Sequence, residues 1–368
     1  MKVGQEHYRT IWFDEISSTV NIIDQTKLPH RFEIAQLRSL EEVANAITTM
    51  QVRGAPLIGA TAAYGIVLAM RDEPSDAGLK QAAIELLATR PTAINLRWAL
   101  NLLTEELAAL PVTLRLDAAK RRAELICNED VVCCEAIGEH GRVLISEISE
   151  REKRPVNIMT HCNAGWLATV DWGTALAPVY KAFNAGIDLH MWVSETRPRN
   201  QGMYLTSWEL AAHGVPHTVI SDNAAGHLMQ QGLVDLCIVG TDRTLVTGDV
   251  CNKIGTYLKA LAADAHKVPF YVAVPSSSIE WHGLREGSEI PIEQRGSEEI
   301  HTIVSLNSEA KPIESILCDN SAASFPTQYR NDAFDVTPST LVSGLITERG
   351  LCEASEKALL ELFPEHRR

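Results

Sequence analysis

From Pro155 onward, short apolar runs at 156–159, 189–193, 218–220, 236–239 and 270–274 alternate with helix-forming stretches at 175–184, 207–213, 224–230 and 254–266. Runs this short and this apolar suit strands covered on both faces. Strands that alternate with helices build βαβ units, which close into a parallel sheet with helices on both sides. The pattern therefore predicts a doubly wound domain that binds ligands beyond the carboxyl ends of its strands.

Upstream the pattern differs. Candidate strands at 10–13, 20–24 and 31–34, separated by polar or Pro-containing turns, predict a small antiparallel meander. Ser39-Leu40-Glu41-Glu42 matches a capping box and predicts a helix over 40–51. Stretches rich in Ala, Leu and Glu predict helices at 57–70, 78–87, 93–110 and 114–149, with Pro56, Pro74, Pro91 and Pro111 at their boundaries. The expected fold class is α/β: a Rossmann-like parallel-sheet C-terminal domain, preceded by a mainly helical N-terminal domain carrying a small antiparallel sheet. The long helix connects the two, giving domains 1–130 and 131–368.

A formal net charge of −14 excludes a protein that lives on nucleic-acid phosphates, which demands clustered Lys and Arg. A small phosphate ligand needs only one or two local cations and some backbone N–H groups, and remains open. No apolar run approaches the roughly 20 residues that span a bilayer, and the N-terminus lacks a signal-peptide core, so a cytoplasmic chain without a membrane is expected. The eight cysteines form no C-x-x-C pair and no cluster at zinc-ligand spacing, and most should be buried free thiols.

Five strand ends carry polar or Gly-rich loops: Thr160-His161-Cys162-Asn163-Ala164-Gly165, Glu195 to Gly202, Ser221 to Gly226, Gly240-Thr241-Asp242-Arg243, and Pro275 to Ser278. A parallel sheet would bring all five to one rim, which favours a site over five unrelated turns. None is a dinucleotide fingerprint, a P-loop or a G-x-S-x-G elbow. Cys162 stands before Gly165 and a predicted helix, where backbone N–H groups would stabilise a thiolate; a buried structural thiol is an equal reading. Asp242 taken alone reads as a turn residue paired with Arg243. Arg53-Gly54-Ala55-Pro56 opens a helix whose N-terminus could cradle phosphate, although a solvated Arg at a helix entry explains it as well. Arg90-Pro91-Thr92 has the same grammar.

Taken in order, RGAPLIGATAAYG (53–65), RPTAINLRWAL (90–100), THCNAG (160–165), ETRPRNQG (195–202), GTDR (240–243), GDVCNKIGTY (248–257), IPIEQR (290–295) and FDVTP (334–338) resemble the methylthioribose-1-phosphate isomerase family. That family shares a superfamily with regulatory subunits of a translation-initiation exchange factor. The resemblance implies a homodimer that binds a small sugar phosphate and uses no metal or organic cofactor. It places Cys162 in the catalytic cysteine position and Asp242 in that of the general acid. Arg53, Gly54, Ala55, Arg90, Gln201, Asn252 and Lys253 fall in substrate-binding positions. Trp166, Thr241 and the Pro275–Trp281 segment depart from the family pattern near the site.

The reaction so implied turns a ribofuranose 1-phosphate into an open-chain ribulose 1-phosphate, in methionine salvage when C5 carries methylthio. Phosphate on the anomeric carbon blocks simple ring opening, so an acid must protonate the ring oxygen while hydrogen moves from C2 to C1. Asp242 is the candidate acid, and Cys162 either abstracts the C2 proton or assists a direct hydride shift. Rival readings are an isomerase for 5-deoxyribose 1-phosphate or ribose 1,5-bisphosphate, and a non-catalytic regulatory binding protein.

Overall fold

The five alternating runs after Pro155 join two later strands in one seven-stranded sheet. Its order is Gly350–Cys352, Gly344–Thr347, Phe270–Ala273, Leu236–Val239, Val156–Thr160, Leu189–Ser194 and His217–Ile220. A computed structural model describes residues 1–309, 311–318 and 327–367. Every pairing is parallel except that of the Gly350–Cys352 edge strand, which turns back antiparallel on Gly344–Thr347. With the six parallel strands numbered along the chain, the order is 3-2-1-4-5-6, the doubly wound Rossmann arrangement. Its switch point lies between Val156–Thr160 and Leu236–Val239, which pair Ile158 with Leu236 and Met159 with Cys237.

The N-terminal region carries the expected meander, Ile11–Asp14, Thr19–Ile23 and Ile34–Leu37. The third strand lies three residues beyond the predicted 31–34. Pairing Val20 with Leu37 and Ile23 with Ile34 sends Leu37 into the core, which the earlier frame would have left outside the sheet. Ser39 caps the first helix, Leu40–Thr48, by accepting from the Glu42 amide, while the Glu42 carboxylate accepts from the Arg38 amide, one residue upstream of the expected capping-box partner. That helix stops at Thr48 rather than 51. Thr48 and Thr49 turn their hydroxyls onto the carbonyls of Ala44 and Asn45, and Met50 takes a left-handed φ of 61°.

Helix Ala55–Asp72 is buried along nearly its whole length among Asp76–Thr89, Ile94–Ala108 and the long helix Val112–Glu152. The long helix has 41 residues and is about 60 Å long at 1.5 Å per residue. Its first part places Ala118, Ala119, Ala123, Ile126 and Cys127 in the N-terminal core; its second part places Ile137, Ile145 and Ile148 against the parallel sheet.

After Leu236–Val239 the chain does not enter a crossover helix at once. It first forms a hairpin, Arg243–Leu245 with Val250–Lys253, which joins Ile279–Glu280 and Phe334–Thr337 in a four-stranded sheet. The hairpin returns Asn252 and Lys253 to the rim from which Asp242 departed. Short-range pattern gave no sign of these strands, because Arg243 and Thr244 in one and Asn252 and Lys253 in the other break any apolar run.

Candidate active site

Cys162 lies two residues past the end of Val156–Thr160 and Asp242 three past the end of Leu236–Val239. Both therefore stand at the carboxyl ends of the two strands that flank the switch point. Cys162 has a left-handed backbone, φ 65°. A non-glycine residue holds such a conformation only where its surroundings over-determine it. Here its amide donates to Thr196 Oγ1 at 2.8 Å, and Thr206 Oγ1 donates to its carbonyl at 2.7 Å.

The helix expected after Gly165 is absent. Trp166–Ala168 make a single 3-10 turn, and the next α-helix starts at Ala177. Side-chain cations take the place of the helix N-terminus. Burial pushes the Cys162 thiol above its ordinary value, against which the charges of Arg53 and Lys253 act. Burial likewise raises the Asp242 carboxyl, opposed by Lys253, Arg53 and Arg90 and reinforced by Glu293. Burial lowers the Lys253 ammonium, while Cys162 and Asp242 favour its charge; its Nζ stands 4.7 Å from the Phe334 ring centroid. The Asp242 amide donates to the Cys251 carbonyl at 3.0 Å, which ties the acid to the strand that carries Asn252 and Lys253. Thr241 Oγ1 bonds the same carbonyl at 3.1 Å. Arg243 turns away from Asp242, donating to the Thr92 carbonyl at 2.7 Å and facing Glu280.

Two clefts border this cluster. One is lined by Ala55, Arg90, Asp242, Ile290, Pro291 and Phe334, the other by Met50, Arg53, Asn200, Gln201, Leu205 and Arg295, among others. In the second cleft the buried side chains of Gln25, Asn200 and Gln201 each leave a carbonyl oxygen without a partner among the described residues. Asn252 Nδ2 donates to Thr256 Oγ1 at 3.0 Å. Gly54 precedes the helix with φ 99°, and a Cβ there would meet the Ala168 carbonyl oxygen at 2.4 Å. The glycine is thus demanded by the close approach of the protein's own chain at Ala168. Arg90 ends helix Asp76–Thr89 as its C-cap and reaches Glu293 rather than opening a helix.

Of the five strand-end loops, those after the first, second and fourth parallel strands in chain order meet at the site. The third supports the second: Asp222 accepts from Ser194 Oγ and from the amides of Thr196 and Arg197. The fifth faces the N-terminal helices, with Ser277 and Ser278 exchanging hydrogen bonds with Asn95.

Sequence reasoning missed the floor of the site. Glu209, on helix Ser207–His213, is 1 % exposed. It accepts from the Trp166 and Leu167 amides, Tyr180 Oη and Asn163 Nδ2 at 2.9–3.0 Å. Asn163 in turn accepts from Arg53, through both its side-chain oxygen and its carbonyl. A carboxylate between Trp208 and Leu210 in a short helix was the only sign of this, and a solvated helix face gives the same sign.

Burial pushes the Glu209 carboxyl from 4.5 up to about 7, the hydrogen bonds opposing it. Below 4.5 both folded and unfolded chains hold the proton; between the two values only the folded chain does, so this group's contribution to stability falls as pH rises through that window. Glu209→Gln, which cannot ionise, is expected to gain on the order of 2 kcal/mol relative to the parent between pH 5 and pH 8. Urea unfolding of both proteins at the two pH values measures this, and a difference independent of pH would refute it.

A Rossmann-like sheet with a thiol and a carboxyl across its switch point, ringed by cations and joined to a helical N-terminal region, defines a class of protein. Residues 51–354 match that class as the Initiation factor 2 subunit family. The chain is 58% identical over 366 residues to the methylthioribose-1-phosphate isomerase of Paramagnetospirillum magneticum, covering 99% of each sequence. Among solved structures, 5-methylthioribose 1-phosphate isomerase from Pyrococcus horikoshii OT3 superposes with a TM-score of 0.79 at 38% identity, over 98% of this chain and 97% of that one. The delta subunit of translation initiation factor eIF-2B from A. fulgidus superposes at 0.76 with 37% identity, over 97% of this chain and all of that one (100%). The chain belongs to the Initiation factor 2 subunit family and, within it, to the methylthioribose-1-phosphate isomerases.

Proposed function

We propose that this chain converts 5-methylthioribose 1-phosphate to 5-methylthioribulose 1-phosphate, with Asp242 as general acid and Cys162 as its partner at C2. The observation that carries the reading is the placement of this thiol and this carboxyl at the two strand ends beside the switch point, facing the charges of Arg53 and Lys253. An acid that protonates the ring oxygen must carry a proton at the working pH, and burial gives the Asp242 carboxyl that tendency. Arg53, the Gly54 and Ala55 amides, Arg90 and Lys253 would hold the phosphate, and Gln201 and Asn252 the sugar hydroxyls. Gln201 Oε1, buried without a partner among the described residues, suits a hydroxyl donor.

Leu28, Met50 and Leu205 line the cleft beside Arg53 and Gln201 and offer apolar contact for a methylthio group at C5. A second phosphate there would need free cations; Lys27 and Arg31 also line the cleft, but Arg197, Arg199 and Arg295 are committed. Arg199 and Arg295 both pair with Glu299, whose carboxyl they pull down to about 2 although burial alone would raise it. Arg197 donates to the Pro198 and Ile300 carbonyls.

The likeness to the eIF-2B delta subunit favours a second reading, a regulatory binding protein without turnover. The paired thiol and carboxyl speak for the enzyme. We further propose that domains 1–130 and 131–368 divide within the long helix, where its buried side chains pass from one core to the other. The working unit is proposed as a cytoplasmic homodimer; among the described residues no helix is long and apolar enough to cross a membrane.

Purified protein is expected to turn over methylthioribose 1-phosphate faster than 5-deoxyribose 1-phosphate, and ribose 1,5-bisphosphate least, at equal concentrations. Reversal of that order would move the error to C5 recognition, and no turnover of any would favour the regulatory reading.

A further inference from the structure

Glu293 lies between the two clefts, on the segment that contributes Ile290 and Pro291 to one and Arg295 to the other. One carboxylate oxygen accepts from Arg90 Nη2 at 3.0 Å and Nε at 3.2 Å. The other accepts from Arg295 Nη1 at 2.7 Å. Among the described residues both side-chain hydrogen bonds of Arg90 end on Glu293. Arg295 has a second counter-ion, since its Nε and Nη2 also bond Glu299. Arg90 and Glu293 are only 12% and 20% exposed, so water screens the pair less than it would at the surface.

The charges explain the arrangement. Arg53, Arg90, Lys253 and Arg295 gather about one site, and besides burial the charges of Arg295 and Arg90 push the Lys253 ammonium down. Such a cluster repels itself when nothing anionic is bound, and a carboxylate shared between two of its members offsets that repulsion. A phosphate that takes the Nε and Nη2 edge of Arg90, the edge suited to bidentate binding, must therefore displace Glu293. After the exchange Glu293 keeps Arg295, so no carboxylate is left buried without a cation.

We propose that Glu293 is an internal counter-ion which the phosphate end of the substrate displaces from Arg90, so that this carboxylate sets how tightly phosphate is held. The inference rests on the reading that Arg90 binds phosphate. It differs from a structural tie in one respect: a tie can only be lost, whereas removal of a competitor improves binding. Glu293→Gln keeps an acceptor of the same shape and drops the charge.

Calorimetric titration of inorganic phosphate into the full-length protein tests this. Glu293→Gln is expected to bind phosphate about 3- to 10-fold more tightly than the parent, Arg90→Gln about 10-fold more weakly, and the double variant like Arg90→Gln alone. Glu293→Ala, which also removes the charge, should shift the dissociation constant in the same direction and replaces the amide variant should that fail to fold. Equal or weaker binding by the Glu293 variants, with Arg90→Gln still weakened, would overturn the competition while leaving the phosphate site in place. An unchanged dissociation constant in Arg90→Gln would overturn the phosphate reading and the inference together.

Discussion

Asp242→Asn is expected to lower kcat by about 10²–10⁴-fold, the usual worth of a positioned acid. Asn is nearly isosteric, so the backbone tie to Cys251 and the hairpin behind it should persist. What disappears is a proton that can be given to the ring oxygen. The parent enzyme should also carry an alkaline limb that the variant lacks. The carboxyl is raised by burial, so it is competent below its folded pKa and loses activity as pH climbs through that value. Lys253, Arg53 and Arg90 oppose that rise and Glu293 adds to it, so the limb reports the whole cluster. Steady-state rates for both proteins across the pH range in which they stay folded measure the effect, with Cys162→Ala expected to show a loss of similar size. Near-normal turnover in either variant would remove that residue from the mechanism.

The second large effect concerns stability. Glu209→Leu is expected to lower the free energy of unfolding by about 3–5 kcal/mol. The substitution leaves the Trp166 and Leu167 amides, the Tyr180 hydroxyl and the Asn163 amide group facing an apolar side chain in a site closed to water. Each orphaned donor costs roughly 1–3 kcal/mol, and their sum is not additive because the Trp166–Ala168 turn can relax. Loosening that turn also frees Asn163, which holds Arg53. Urea unfolding should therefore show the loss in stability, and KM for the sugar phosphate should rise at a temperature where the variant is still folded. A variant as stable as the parent would mean that Glu209 is dispensable.

Much of the fold was legible because each element announced itself locally. The Leu236–Val239 strand and the Ser207–His213 helix fall where the apolar runs and their polar boundaries put them. Four other parallel strands differ by one residue at one end, as expected where a terminal residue is only half engaged in the ladder, while the sixth, Gly344–Thr347, was not anticipated. The parallel character followed from alternation alone, since a strand–helix–strand unit has one favoured way to fold back. The misplaced third meander strand and the overlong first helix have separate causes. Both were settled by long-range contacts or by backbonding threonines rather than by propensity.

The site was legible in part. Cys162 and Asp242 drew attention as chemical residues at strand ends, but neither position by itself outweighed a bland reading. The sequence by itself determined that a Rossmann-like sheet would form and that its polar loops would gather on one rim, because hydrophobic period and loop composition are local properties. It could not determine that strands 1 and 4 would be neighbours, which is what sets Cys162 opposite Asp242. Nor could it show the short hairpin that returns Lys253 to them, the Glu209 floor beneath Arg53, or the Glu293 bridge from Arg90 to Arg295. Those depend on pairings between residues as much as 203 apart in the chain. Such contacts form only once the core has fixed both partners, and burial, which decides whether a carboxyl keeps its proton, exists only in the folded protein.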